Sequence, residues 1–318
     1  MVLAGCGQRE PSGGGQSHGT DSLRVGLITP GSVTDVAWNS GAYRGLQEIH
    51  DSLGLPISHV EARTPAEQEE ALRNYAAQGY RLVFAHGFEF QDPAERVSAD
   101  YPNAIFIITS GQRARGNVVP LIFDLGQASY LAGMVAGGMT RSGVIGFIGG
   151  VELPPVREGY EAWMAGAKAV RPSVQSRVTY LNNWDDPAAG KEAALALIRV
   201  GADMLHHNAD AAGIGVFQAA KESPGVYVFG SNADQSSLAP DRVLGSAVID
   251  LPLAMLQVAR AVKDGTFKPV AQHFGLASGV ITYHQNPETA SLVPDSLERR
   301  VAAAADSIRA GTLTPGAP

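Results

Sequence analysis

Residues 23–47 read "LRVGLITPGSVTDVAWNSGAYRGLQ", an apolar run of β-formers that stops at Pro30 and Gly31 and hands over to a helical pattern. The run is continuous rather than alternating. Strands of that kind are covered on both faces, so the sheet is parallel and sandwiched between helices. In such doubly wound sheets ligands meet the carboxyl ends of the strands, where loops enter helices. Asp35, Trp38 and Asn39 stand at that junction here.

The same handover recurs down the chain. "ISHVEA", "RLVFAHG", "AIFIITSG", "VVPLIFD", "GVIGFIGG", "SRVTYLN", "ADMLHHN", "VYVFGSN" and "GSAVID" read as strands. Between them, "PAEQEEALRNYAAQGY", "QASYLAGMVAGGM", "PAAGKEAALALIRVG" and "PLAMLQVARAVKDG" carry apolar residues at helical spacing. Ten strands exceed what one sheet of this kind usually holds, so two doubly wound, Rossmann-like α/β lobes are expected. Asp185 or Asp186 before Pro187, Asp92 before Pro93, and Pro252 in "VIDLPLAM" mark helix starts. "HFGLASGVITYHQNP" reads as strands with a turn, and "PDSLERRVAAAADSIRAG" as a closing amphipathic helix.

Composition narrows the function. The 318 residues are 45% hydrophobic and 17% charged, with a net charge of −7, so a large core is available and a nucleic-acid partner is disfavoured. No run approaches the length of a membrane-spanning helix. The single cysteine, Cys6 in "LAGC", precedes the Gly/Ser-rich stretch "GQREPSGGGQSHGTDS". That pairing resembles a bacterial lipoprotein, in which the cysteine is acylated and residues 1–21 form a lipobox remnant and flexible tether to the membrane.

The strand ends collect a consistent set of residues: Asp35, Trp38, Asn39, Phe88, Trp184, Asn208, Asp210, Asn232, Asp234 and Asp250. Singly, an Asp before a helix is usually a cap and a tryptophan a core filler. Recurring along one edge of both lobes, they suit a cleft in which two aromatic planes sandwich a flat ring and Asp and Asn read its edge. Catalysis finds little support. There is no G-x-S-x-G around "ITSGQ", no G-x-G-x-x-G, and no metal set. His206 and His207 are adjacent in a strand and point to opposite faces. No catalytic residue and no cofactor is expected.

"TDVAWNSGAYRGL", "RLVFAHGFEF", "ASYLAGMVA", "GVIGFIGGVELPPVREGYEAWMAG", "DPAAGKEAALALI", "ADAAGIGVFQAAKE" and "GSNADQ" together resemble the basic membrane protein family. These are bacterial lipoproteins that serve as purine-nucleoside-binding components of ABC transporters, on the type I periplasmic binding-protein fold. The resemblance implies two lobes joined by a three-stranded hinge, an enclosed small-molecule purine, a permease as partner, an extracytoplasmic location, and a monomer. It implies an N-terminal lobe of 22–123 plus 250–276 and a C-terminal lobe of 124–249 plus 277–318. The chain would cross near Leu121–Leu125, Ser246–Asp250 and Gly275–Ser278. By the same resemblance Trp38 stacks the base, and Asp35 and Asn39 flank it. By resemblance to sugar-binding relatives of the fold, Trp184 opposes it from the second lobe, and Asn208, Asn232 and Asp250 fall where those relatives hydrogen-bond their ligand. Two positions depart from the family: Asn232 stands where an Asp is usual, and a lysine near "GSAVID" is absent. Asn offers a ribose one neutral acceptor where Asp offers a charged pair, so a free base such as adenine stands beside a nucleoside as the expected ligand. A sensory binding module for the same ligand, and a nucleoside-processing α/β enzyme, are the alternative readings.

Overall fold

A computed structural model describes residues 23–315 together with Met1; Cys6 and the tether lie outside the described residues. The chain opens with β1 (Val25–Thr29), α1 (Trp38–Leu53), β2 (Ile57–Glu61), α2 (Pro65–Ala77), β3 (Leu82–His86), α3 (Gln91–Ser98), β4 (Ile105–Thr109) and β5 (Val118–Phe123). It continues through α4 (Leu125–Met139), β6 (Val144–Gly149), α5 (Pro154–Val170), β7 (Gln175–Tyr180), α6 (Pro187–Arg199), β8 (Met204–Asn208), α7 (Ile214–Glu222), β9 (Tyr227–Asn232) and β10 (Val243–Ile249). α8 (Leu251–Lys263), β11 (Gln272–Phe274), β12 (Ile281–Gln285) and α9 (Asp295–Arg309) complete it.

Two six-stranded sheets result, in the orders β2-β1-β3-β4-β5-β11 and β7-β6-β8-β9-β10-β12. All pairings are parallel except β10 with β12. Each sheet starts in its middle, runs outward one way, then reverses past its first strand. That reversal puts a switch point between β1 and β3, and another between β6 and β8, where loops diverge and leave a crevice.

Burial explains the continuous apolar runs. β1 and β3 are buried at every residue, whereas the edge strands β2 and β7 are partly exposed along their length. The chain passes between sheets three times: after β5, after β10 and after β11. α8 packs on α1 although β10, just before it, belongs to the second sheet.

Helix starts follow local chemistry. Thr64 and Glu67 form a reciprocal capping box on α2, and Asp186 accepts from the N–H groups of Ala188 and Ala189 at α6. Asp92 behaves otherwise than its pairing with Pro93 suggests. α3 begins at Gln91, directly off a short 3-10 turn, so Asp92 sits inside the helix and its carboxylate meets Arg113 at 2.6 Å.

Candidate ligand-binding site

The carboxyl ends of the two sheets face one cleft with about 800 Å³ of empty space, a volume that includes space open to solvent. Its walls come from the loops after β1, β3, β4 and β5 on one side, and after β6, β7, β8 and β9 on the other. Trp38, Asn39, Phe88, Trp184, Asn208, Asp210 and Asn232 all line it.

Each indole has a defined support. Trp38, the first residue of α1, stacks on the His86 imidazole with ring centroids 4.0 Å apart and planes 27° from parallel. Trp184 lies against the backbone at Gly150, where any Cβ would fall on the indole. Glycine is therefore required there for the ring to sit as it does.

Asp35 fixes the first of these loops. Its carboxylate accepts from the N–H groups of Ala37, Asn39 and Ser40 at 3.3, 2.7 and 2.8 Å. It thus holds the start of α1 and stands behind the cavity wall rather than in it. Asp250 is not brought to the cavity at all. It is exposed and accepts from the N–H of Leu253, capping α8; Ile249 beside it lines the cavity instead. Asp234 is likewise engaged elsewhere, with Ser236 and with His284 at 3.4 Å.

Polar groups from the two lobes meet directly. Asn39 Nδ2 donates to Asp210 Oδ2 at 3.3 Å, and the other oxygens of both side chains are buried without a partner. Burial, reinforced by the neighbouring Asp35 charge, holds the Asp210 carboxyl well above the usual carboxylate range. On the rim, Arg63 reaches Asp185 across the lobes at 3.4 Å. Asn232 Nδ2 donates to Asn208 Oδ1 at 3.4 Å. Beneath them, Gln235 Oε1 accepts from the N–H of Ser231 and from His207 Nε2, both at 2.9 Å, and so anchors the end of β9.

Glu89 is a site residue that sequence reasoning missed. Its carboxyl lines the cavity and folds over Gly87, whose φ of 138° lies in a region few side chains tolerate. Burial pushes that carboxyl up from its ordinary value. Among the described residues, no lysine, arginine or histidine lines the cavity. The apolar walls at Phe123, Leu125, Leu153, Pro155 and Val156 were also unassigned.

Backbone strain concentrates here. Of four non-glycine residues at positive φ among the described residues, Ser110, Asp210 and Asn232 line the cavity. Ser110, the serine of "ITSGQ", has no histidine beside it in the cavity lining. The two adjacent histidines of β8 serve opposite cores: His206 packs on Phe147, Trp163 and Phe229, His207 on Phe217. Among the described residues no group of His, Cys, Asp and Glu is placed to hold a metal, and no helix is long and apolar enough to cross a membrane.

Two doubly wound lobes, three chain crossings between them and one ligand-sized cavity at their facing strand ends define a two-lobed solute-binding protein of type I fold. A solute-binding protein of Aeropyrum pernix K1 has the same architecture, with a TM-score of 0.85 at 20% identity over 92% of both chains. The chain belongs to the PnrA-like family of ABC transporter substrate-binding proteins, whose model matches residues 22–304. It is 28% identical to a purine-binding protein of Brucella abortus (strain 2308), over 95% of this chain and 85% of that one. It is 29% identical to the ABC transporter nucleoside-binding protein BmpA of Lactococcus lactis subsp. cremoris (strain MG1363), over 84% of this chain and 82% of that one.

Proposed function

We propose that the protein binds a purine base or nucleoside between its lobes and presents it to an ABC permease, without chemistry on the ligand. The observation that carries this reading is one cavity lined by an indole from each lobe, Trp38 and Trp184, each held against its own support. Two such planes suit a flat heterocycle, and each stacking platform contributes about 1–3 kcal/mol. Asn39, Glu89 and Asp210 then read the ring's N–H groups, and Asn208 and Asn232 supply amides to the ring or a sugar. A lining of carboxyls without a cation disfavours phosphorylated ligands. The purine-binding and nucleoside-binding relatives point the same way.

The two lobes are taken as 22–123 with 250–276 and 124–249 with 277–318, working as a monomer, with Cys6 as the lipid anchor that holds the protein to the cell membrane on its extracytoplasmic side, in the periplasm or at the outer face. Incorporation of labelled palmitate, lost on Cys6→Ser, checks the anchor. For the ligand, melting temperature is followed while adenine, guanine, hypoxanthine, adenosine and guanosine are added. A ligand that binds only the folded form raises that temperature. No shift with any of them at millimolar concentration refutes the purine reading.

A further inference from the structure

His86 ends an otherwise apolar strand, "LVFAH", and is fully buried. An aliphatic residue would satisfy burial alone, and a buried imidazole is costly unless its nitrogens are partnered. Both are. Nε2 donates to the carbonyl oxygen of Trp38 at 3.1 Å, and Nδ1 accepts from the Thr109 hydroxyl at 2.8 Å. A carbonyl can only accept, so the ring carries its proton on Nε2. Burial lowers its pKa to about 3, which keeps it in that form throughout the neutral range. The same ring lies under the Trp38 indole at 4.0 Å.

These contacts act on one residue from two directions. The hydrogen bond fixes the Trp38 backbone, and the stacked ring fixes the plane of its side chain. We propose that His86 is a positioning residue, the floor that holds the Trp38 indole flat and preorganised for the ligand. This rests on the reading of Trp38 as a ligand platform. His206 provides the contrast: it too is buried with a backbone partner, Phe229 O at 3.2 Å, yet its aromatic neighbours Phe147, Trp163 and Phe229 belong to the core, whereas the neighbour of His86, Trp38, lines the cavity. The benefit of a fixed platform lies in avoided ordering on binding, so its loss weakens affinity more than it weakens the fold.

The test compares His86→Phe, which keeps a ring beneath the indole, with His86→Gln, which keeps a donor but no ring. Both are made in the full chain, with His206→Gln as a control. Affinity for adenine and adenosine is measured at a temperature where melting curves show every variant folded. The near-ultraviolet dichroism of Trp38 is recorded without ligand in a Trp163→Phe, Trp184→Phe background, which leaves Trp38 as the sole tryptophan. The expected result is that His86→Phe keeps the Trp38 band and binds within about threefold of the parent. His86→Gln loses the band and binds about tenfold more weakly, and His206→Gln leaves affinity unchanged. Equal affinity and an equal band in His86→Gln overturn the proposal, as does a His86→Phe defect as large as that of His86→Gln. If no purine binds the parent, the purine reading fails, and the ligand-free dichroism still decides whether His86 orders the indole.

Discussion

Removing the second indole gives the sharpest separation between a ligand platform and a core filler. Trp184 is partly buried at the cavity rim and rests on Gly150, so Trp184→Ala exposes little that was sealed from solvent. Its expected cost in stability is about 1 kcal/mol, in the ordinary range for a partly exposed residue. Trp163 is the internal comparison. It is 0% exposed and packs against Phe147 and His206, so truncating it to Ala costs about 3–5 kcal/mol. Binding reverses the ranking. One lost stacking platform weakens affinity by about 1–3 kcal/mol, which is about 5- to 150-fold in Kd at 25 °C. The assay is calorimetric titration with the tightest purine, paired with denaturant unfolding of the same samples. Trp163→Phe, which keeps the core filled, should bind as the parent does. The reasoning is refuted if Trp184→Ala binds within twofold of the parent while its unfolding midpoint drops as far as that of Trp163→Ala.

Three other expectations follow from the same geometry. Glu89→Gln removes the negative charge but keeps the size of the cavity wall. It should narrow the preference for adenosine over its 5′-monophosphate by about tenfold, and an unchanged ratio would show that Glu89 does not face the ligand. Burial holds His86 and His206 down at about 3 and His207 at about 4, against an ordinary 6.5. The unfolded chain therefore binds more protons below pH 6.5, and their contribution is full above that pH and lost as the pH falls towards 4 or 3. At pH 5.5 the three together remove up to about 4 kcal/mol. The raised carboxyls of Glu89 and Asp210 oppose this, because the folded state takes up their protons first. His206→Gln should flatten the slope of unfolding free energy against pH by about one proton; an unaltered slope contradicts the assignment. Arg63→Gln breaks the exposed bridge to Asp185 across the cleft, and should weaken binding by no more than about 1 kcal/mol and only at low salt. A larger, salt-independent loss would place Arg63 in the site itself.

The strands were legible because a strand covered on both faces has to be apolar throughout, and β1, β3, β4 and β8 are buried almost without a break. Residues at their carboxyl ends were legible for the same reason, since a polar or aromatic side chain stands out after such a run. What the pattern could not separate was an Asp that caps a helix from an Asp that faces a cavity. Asp35, Asp210 and Asp250 all follow strands, yet Asp250 meets the N–H of Leu253 while Asp210 turns inward from a left-handed backbone. That difference lies in dihedral angles, which residue type does not report. Glu89 was hidden for a related reason. In "HGFEF" it reads as an ordinary polar loop residue, and only the backbone at Gly87 turns it into the cleft. Phe123, Leu153 and Ile249 line the cavity with side chains that, in sequence, are indistinguishable from core.

The direct test of the whole account is a crystal structure grown with the tightest-binding purine. The ring is expected between the indoles of Trp38 and Trp184, in stacking contact with each, with its N–H edge on Asn39, Glu89 or Asp210. A purine bound outside this cavity, or inside it with neither indole in contact, would contradict it.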